Sequence, residues 1–400
     1  MNSKIRIGNA TPIKILTVAV NDSGAKSVLK NKNRIDLLDD IAKTIKNNEN
    51  FRNADLICFP GCYFFMNDFV GNLPFEDRKR VIEAQSFFAC IQRFCKNFPN
   101  AKVIIGIDSR VLFKNNDDVY YEVNGKDIQI LRKSKDLFIG ADTLSFKEKG
   151  DELCVAFDIS GVIGVGRKVF PVTYWSKQFI PYVADPEESY LYEINNNKHY
   201  LQKHTFVSYY NDFDDEKRII EVKGRKVLLC ACYDMFGVML EFEEDFKQSA
   251  SSRRSAIGAI FKENKLYLRD DKGRYFNELK DKALNRWKAL LHTHKPTIAV
   301  STIHSFNYAN DPNFWMRHGI ATASAALGAI ANTPCLAIGA SHFVWELPSE
   351  NSSNLCSFNI PKKHIGKGQN RPLLDRKPQH FIEGVGKEWK IGFTIKGFEV

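Results

Sequence analysis

The chain has 400 residues, 44% of them hydrophobic, which is enough for one large core or two modest ones. Nine cysteines, an odd number, are scattered through apolar segments, and the chain opens on polar residues, which favours a reducing cytoplasmic location over a secreted disulfide framework. The net charge of +10 allows anionic partners without requiring them, and no apolar run reaches the roughly 18 residues that a membrane helix needs.

The first quarter of the chain alternates strand and helix patterns. Strands are predicted at 14–20, 54–59 and 102–107, and amphipathic helices at 34–45 and 78–94. Pro60 and Gly61 close the second of these strands. This order is typical of a layered α/β protein.

Shorter β segments separated by turn residues follow and predict hairpins, at 119–123, 128–131, 154–159 and 162–170. The second half returns to the first pattern, with strands at 227–232, 297–302 and 334–343 and helices at 235–246, 276–291 and 313–330. Two such halves joined by hairpins predict two sheets packed face to face with helices outside, an αββα sandwich. Strands buried on both faces would explain why so many are continuously apolar.

The predicted main domain covers residues 1–348. Two stretches differ from it in composition, one inside the domain and one after it. Residues 248–275 are rich in serine and charge and interrupt the second half as an insertion. Residues 349–400 form a C-terminal extension with a basic run at 361–377 and short strands at 389–393 and 395–400. Both stretches are expected to be peripheral.

A strand that ends in a cysteine is the first chemical signal. Cys232, Tyr233 and Asp234 follow the apolar run 227–231 directly, so the thiol is predicted at a strand end. The second signal is GVGRKVFP at 164–171, which places Lys168 after a hairpin strand and before apolar residues. Together the two motifs resemble those of the nitrilase, or carbon–nitrogen hydrolase, superfamily, and the resemblance runs from about residue 13 to residue 343.

The resemblance implies a nitrilase-type αββα fold, no cofactor or metal, and homodimerisation through helices such as 313–330. It implies that Cys232 is the nucleophile and that Lys168 stabilises the tetrahedral intermediate, together with the backbone N–H that follows the cysteine. In this superfamily a glutamate follows the proline that ends the second strand and transfers protons. Gly61 stands at that position here.

A carboxylate from a neighbouring segment would have to replace that glutamate. Asp108 follows the strand 102–107 directly and is our first candidate, because adjacent strands would bring it beside Gly61. The other candidates are Asp68, Glu187 and Glu188. None of these is marked by spacing alone.

Further residues are open to two interpretations. His304 follows a predicted strand and is either an acid–base or substrate-contacting group or a histidine packed beneath Trp315. Gly61 and Tyr233 are expected to contact substrate because of their neighbours. Cys232 itself could be a small buried hydrophobe, and a zinc site is a minor alternative, formed by Cys58, Cys62, Cys230 and Cys232.

Two functions follow from these motifs. The first is hydrolysis of non-peptide carbon–nitrogen bonds in a small amide or nitrile, through a cysteine thioester. The second is a nitrilase-fold protein that has lost turnover and serves as a ligand-binding, regulatory or assembly subunit, because Gly61 cannot transfer a proton. The basic stretches leave nucleic-acid binding as a minor third possibility.

Overall fold

The fold is described from a computed structural model of the chain. It describes residues 11–22, 30–66, 68, 73–109, 121–123, 126–128, 151–168, 189–194, 197–202, 215–232, 234–238, 285–306, 312, 315–343, 355–359, 373–375, 380–388 and 390–400. The strands in these ranges are β1 (Lys14–Asn21), β2 (Leu56–Cys58), β3 (Phe64–Met66), β4 (Lys102–Ser109), β5 (Tyr121–Val123), β6 (Lys126–Ile128), β7 (Asp151–Asp158), β8 (Gly161–Arg167), β9 (Ser189–Ile194), β10 (Asn197–Gln202), β11 (Ile219–Val222), β12 (Arg225–Ala231), β13 (Ile298–Phe306), β14 (Cys335–Phe343), β15 (Leu355–Asn359), β16 (Leu373–Asp375), β17 (His380–Val385) and β18 (Gly392–Glu399). The helices are α1 (Asn31–Asn47), α2 (Phe75–Glu83), α3 (Phe88–Asn97), α4 (Asp234–Gly237), α5 (285–294) and α6 (Ala321–Ala331), with a 3-10 helix at Asp215–Arg218 and a π-helix at Trp315–Ile320.

The first sheet has the strand order β17, β18, β1, β2, β4, β7, β8. Strands β1, β2 and β4 run parallel, and the hairpin of β7 and β8 adds to β4 in antiparallel orientation. β3 pairs with the far end of β4. Parallel strands end at the same edge of a sheet, so the residues that follow β2 and β4 lie near one another.

The second sheet has the order β11, β12, β13, β14, β15, β16. Its three central strands, β12, β13 and β14, are parallel. The last two residues of β14 pair with the end of β1, which joins the two sheets at one edge.

Buried hydrophobic residues fall into three layers. One layer lies between the first sheet and helices α1 to α3, and another lies between the second sheet and helices α5 and α6. The third layer lies between the sheets, where Leu56, Ile104 and Ala156 of the first sheet meet Leu229 and Val300 of the second. The side chains of β2 alternate accordingly, because a strand directs successive residues to opposite faces. The predicted αββα sandwich is confirmed.

The C-terminal segment takes part in this core. β18 lies beside β1 within the first sheet, and its Ile395 and Phe398 are buried on opposite faces. β15 and β16 extend the second sheet. These described parts of residues 349–400 are therefore integral strands, although the basic composition suggested a peripheral extension.

Other boundaries differ from the predicted ones in ways that matter for the site. The predicted helix 78–94 is two helices, α2 and α3, separated at residues 84–87. β13 continues to Phe306, so His304 lies within the strand. The insertion 248–275 and most of the predicted helix 235–246 are outside the described residues. No helix in the described ranges is long and apolar enough to span a membrane.

Candidate active site

Polar side chains converge where the two sheets meet at the carboxyl ends of their parallel strands. Backbone hydrogen bonds join these ends across the sandwich, with the Gly61 N–H donating to Ile303 O at 2.9 Å. Asp108 and Glu152 come from the first sheet, and Cys232 and His304 come from the second. Lys168 directly follows β8 at the same edge.

Cys232 is held immediately beyond the end of β12. Its backbone has φ of +48°, a left-handed conformation that is uncommon for residues other than glycine. The Cys232 N–H donates to Thr302 O at 3.0 Å, and its carbonyl accepts from Ser301 Oγ at 3.1 Å. Neighbouring β13 thus fixes both sides of this turn, and 5% of the cysteine is exposed.

The thiol of Cys232 lies in a field of opposing charges. Burial raises its pKa to about 12, and the charge of Glu152 adds to this rise. The ammonium of Lys168 and the backbone N–H of His304 lower the pKa. The sulfur is therefore protonated at rest, and the Lys168 ammonium favours the thiolate once a base accepts the proton.

Lys168 and Glu152 form an ion pair beside this sulfur. Lys168 Nζ donates to Glu152 Oε1, and the Lys168 N–H donates to the Glu152 carbonyl at 2.9 Å. Burial alone would lower the pKa of the Lys168 ammonium, but Glu152 and Cys232 outweigh it and raise that pKa. Lys168 consequently remains a cation in a nearly buried place.

Glu152 is the carboxylate that the sequence did not reveal. In the antiparallel pairing of β4 with β7, Glu152 lies directly opposite Asp108. Residues at 152, 154 and 156 alternate onto the face between the sheets, where Cys154 and Ala156 are buried. The signal in the sequence was a charged residue, Glu152, at the start of an otherwise apolar strand face. To place Glu152 in the site, the register of β7 with β4 also had to be known.

Asp108 and His304 form a second pair in the same cluster. His304 Nε2 and Asp108 Oδ1 are 2.9 Å apart, and His304 Nε2 lies 3.6 Å from Glu152 Oε2. Burial would lower the pKa of His304, but the two carboxylates outweigh burial and raise it. Burial raises the pKa of Asp108, with His304 opposing. His304 is thus paired with Asp108, and the packing of Trp315 is instead against Phe306.

Gly61 lies beneath the His304 ring. A Cβ built on Gly61 would be 2.7 Å from His304 Cδ2 and 2.8 Å from the Thr302 carbonyl oxygen. A Cβ on Gly106 would be 2.2 Å from Gly61 Cα. The space that the Cβ of a glutamate at position 61 would occupy is therefore filled by His304 and by the backbone of β13.

The remaining candidate residues lie elsewhere or are not described. Asp68 accepts a hydrogen bond from Gln85 Nε2 at 2.9 Å on an exposed surface, away from the cluster. Tyr233, Glu187 and Glu188 are outside the described residues.

The four cysteines of the zinc alternative do not share one place. Cys58 is buried between the two sheets, whereas Cys230 is buried on the helix side of the second sheet. Burial raises the pKa of the Cys62 thiol, and the charge of Asp108 raises it further. Within the described ranges, no group of three or more His, Cys, Asp or Glu residues has the arrangement of a metal site.

Comparisons with known proteins gave structural neighbours only. No protein-family model matches the sequence, and the search of curated proteins gave no match. Similar solved structures include the glutamine-dependent NAD⁺ synthetase of Cytophaga hutchinsonii (11% identity, 98% of this chain and 43% of that chain, TM-score 0.36) and that of Acinetobacter baumannii in complex with ADP (10% identity, 97% and 46%, TM-score 0.35). An N-terminal amidase with a Gln-Val peptide is 9% identical over 87% of this chain and 90% of that chain, with a TM-score of 0.34.

The chain spans less than half of the length of these two synthetases. Because these TM-scores are below 0.5, the αββα sandwich is assigned from the strand register and the three buried layers described above.

Proposed function

We propose that this chain hydrolyses non-peptide carbon–nitrogen bonds of a small amide or nitrile through a thioester on Cys232. The observation that carries the proposal is that the Cys232 turn lies at the same sheet edge as the Lys168 and Glu152 ion pair, whose charges act on its sulfur. Acyl transfer from an amide needs a nucleophile, a group that transfers protons and a group that stabilises the oxyanion, and a thiol, a carboxylate and an ammonium can fill these three roles.

In the first half-reaction of an amide, the Cys232 sulfur attacks the carbonyl carbon while Glu152 accepts the thiol proton. Proton removal in concert with attack suits a thiol whose pKa is raised to about 12, because little free thiolate exists near neutral pH. The Lys168 ammonium stabilises the negative oxygen of the tetrahedral intermediate. Glu152 then delivers the proton to the nitrogen, the carbon–nitrogen bond breaks, and ammonia or an amine leaves.

In the second half-reaction, water attacks the thioester. Glu152 accepts a proton from the water, Lys168 again stabilises the oxyanion, and the carbon–sulfur bond breaks. The proton returns to the Cys232 sulfur, and the carboxylic acid is released. Glu152 thus carries the proton in both directions, which is the work of the glutamate that Gly61 replaces.

His304 and Asp108 support this carboxylate in the proposal. A protonated His304, held by Asp108 at 2.9 Å, places positive charge 3.6 Å from Glu152 Oε2. Lys168 provides positive charge at Oε1. The two cations lie against opposite oxygens of Glu152 and orient its carboxylate before the thiol proton is transferred. Asp108, our first candidate from the sequence, is therefore assigned to His304 rather than to the sulfur.

The alternative is a ligand-binding, regulatory or assembly subunit without turnover, and the observations that favour it are Gly61 and the raised pKa of Cys232. The two proposals predict different chemistry. An enzyme forms a covalent acyl adduct with an amide, whereas a binding protein only retains the amide without releasing ammonia.

The test measures ammonia release from a panel of small primary amides and nitriles, with intact-mass spectrometry of acid-quenched samples. We expect turnover with at least one compound and an acyl adduct that maps to Cys232. Cys232→Ser should abolish both signals, and the matched control Cys230→Ser, two residues earlier on the same strand, should retain them. Binding of amides with neither ammonia nor adduct would establish the alternative.

A further inference from the structure

A buried ion pair lies behind the cysteine turn. Arg218 ends the 3-10 helix that precedes β11, and its Nη1 is 3.0 Å from Asp234 Oδ2. Both side chains are fully buried. The Arg218 guanidinium also stacks against the ring of Trp287, with Cζ 5.0 Å from the ring centroid. Burial of two charges is costly unless their hydrogen bonds are well arranged, so the contacts of this pair identify what it holds.

One side of the pair holds the cysteine turn. Arg218 Nη1 donates to the Leu229 carbonyl at 3.0 Å, and the Ala231 N–H donates to Asp234 Oδ2 at 3.2 Å. Ala231 directly precedes Cys232, and Asp234 begins the helix that follows it. The ion pair therefore fixes the backbone on both sides of the nucleophile.

The other side holds the lysine. Arg218 Nη2 donates to the carbonyl of Arg167, the residue that directly precedes Lys168. The planar guanidinium thus reaches the two chemical motifs with different nitrogens. A lysine ammonium has no such fork and cannot reproduce both contacts in one geometry.

We propose that Arg218, seated on Asp234, is a positioning residue that sets the placement of Lys168 relative to the Cys232 sulfur. This inference rests on the proposed function, because the relative placement of the two groups matters only if they act on one substrate. We call the ion pair of Arg218 and Asp234 the clamp. Small displacements of groups that are held for reaction can lower rates by about a hundredfold, so loss of the clamp should reduce the reaction rate more than substrate binding.

The test compares Arg218→Lys with Arg78→Lys as a matched control. Arg78 is also buried and donates from Nη2 to a backbone carbonyl, that of Leu73 at 2.9 Å, but this carbonyl belongs to neither the cysteine motif nor the lysine motif. The readouts are the rate of Cys232 alkylation by iodoacetamide as a function of pH, kcat and KM for an amide substrate, and unfolding in urea. We expect Arg218→Lys to slow alkylation and to lower kcat by about ten- to a hundredfold, with KM little changed.

A cycle with Lys168→Met separates this inference from the proposed function. If Arg218 acts through Lys168, Arg218→Lys should have little further effect on alkylation in the Lys168→Met background. An effect of Lys168→Met without one of Arg218→Lys would overturn only the clamp. The absence of any Lys168 effect would overturn the proposed function.

Asp234→Asn gives the second test if Arg218→Lys does not fold. The charge of Asp234 raises the pKa of Cys232, so its removal would speed alkylation if electrostatics alone mattered. The clamp predicts slower alkylation. Faster alkylation would overturn the inference, as would failure of both variants to fold while Arg78→Lys folds, since the pair would then be purely structural.

Discussion

Two cysteines at the ends of parallel strands use the same backbone arrangement. Cys62 follows β2 and the Pro60–Gly61 turn with φ of +50°, and Cys232 follows β12 with φ of +48°. Both are nearly buried, at 6% and 5% exposure. A thiol in a left-handed turn at a strand end therefore occurs on each sheet of the sandwich.

The two thiols differ in the charges that face them. For Cys62, burial raises the pKa and the neighbouring Asp108 raises it further, while Arg34 opposes. Arg34 also donates to the Cys62 carbonyl at 2.6 Å, which ties down the turn. For Cys232, the Lys168 ammonium is the leading influence against burial. The comparison teaches that the strand-end turn presents a thiol, and that the leading charge beside it separates the two sites: after burial, a carboxylate has the largest influence on Cys62 and a cation has the largest influence on Cys232.

Removal of the Glu152 carboxylate, which faces Cys232 and not Cys62 as its leading carboxylate, should have the largest effect on activity. Glu152→Gln keeps the size of the side chain but cannot accept the thiol proton, so we expect kcat to fall by about a hundredfold to ten-thousandfold. Cys232 alkylation near neutral pH should not slow, because the charge of Glu152 raises the pKa of Cys232, so the loss should be confined to turnover. Ammonia release and peptide-mapped alkylation are the measurements.

The control for this variant is Glu83→Gln. Glu83 is a partly buried carboxylate that accepts from the Val162 N–H at 2.9 Å, remote from the cluster. Its substitution should leave kcat and Cys232 alkylation unchanged. Unaltered kcat in a folded Glu152→Gln protein would remove Glu152 from the proposed mechanism.

Restoration of a glutamate at Gly61 should fail, and this is the next largest effect. The Cβ of Gly61→Glu would meet His304 and the Thr302 carbonyl at under 3.0 Å, and backbone must shift to relieve the contact. We expect a loss of about 3 kcal/mol in the free energy of unfolding, measured in urea, and no gain in turnover.

Gly392→Ala is the matched glycine substitution. Its Cβ would lie 3.5 Å from Asn21 Cβ, an ordinary contact, so stability should change little. A Gly61→Glu protein of native stability and higher kcat would mean that the site has room for the glutamate after all.

The sequence predicted the fold well because its strands carry local signals. Continuous apolar runs at 14–20 and 102–107 became β1 and β4, and the cysteine and lysine motifs placed Cys232 and Lys168 at strand ends. Glu152 could not be found in this way, because its place opposite Asp108 depends on the register of two strands that are separated by more than 40 residues. The place of β18 beside β1 was likewise a long-range pairing, in a segment whose basic composition masked it.

The smallest predicted effect concerns Asp108, the carboxylate near the Cys62 thiol, and its partner His304. The folded-state pKa of His304 is raised by Asp108 and Glu152, so the stability that its proton provides is present below the unfolded value of about 6.5 and is lost as pH rises through the folded value. Burial also raises the pKa of Asp108, so its ionisation adds a loss of the same sign as pH rises from about 4.

Asp108→Asn should therefore flatten the pH dependence of stability. We expect the thermal midpoint of the unmodified chain to fall relative to that of Asp108→Asn as pH rises above the unfolded values of about 4 for Asp108 and 6.5 for His304, since the folded state of the unmodified chain then binds more protons than its unfolded state. His380→Gln, on the exposed edge strand β17, serves as the control and should keep the pH dependence of the unmodified chain. Asp108→Asn also removes the carboxylate that disfavours the Cys62 thiolate, so Cys62 should alkylate faster. The contacts of Arg218 and Asp234 around Cys232 should stay in place. Parallel stability curves for Asp108→Asn and the unmodified chain would show that Asp108 does not keep His304 protonated. The positive charge beside Glu152 would then have to come from Lys168 alone.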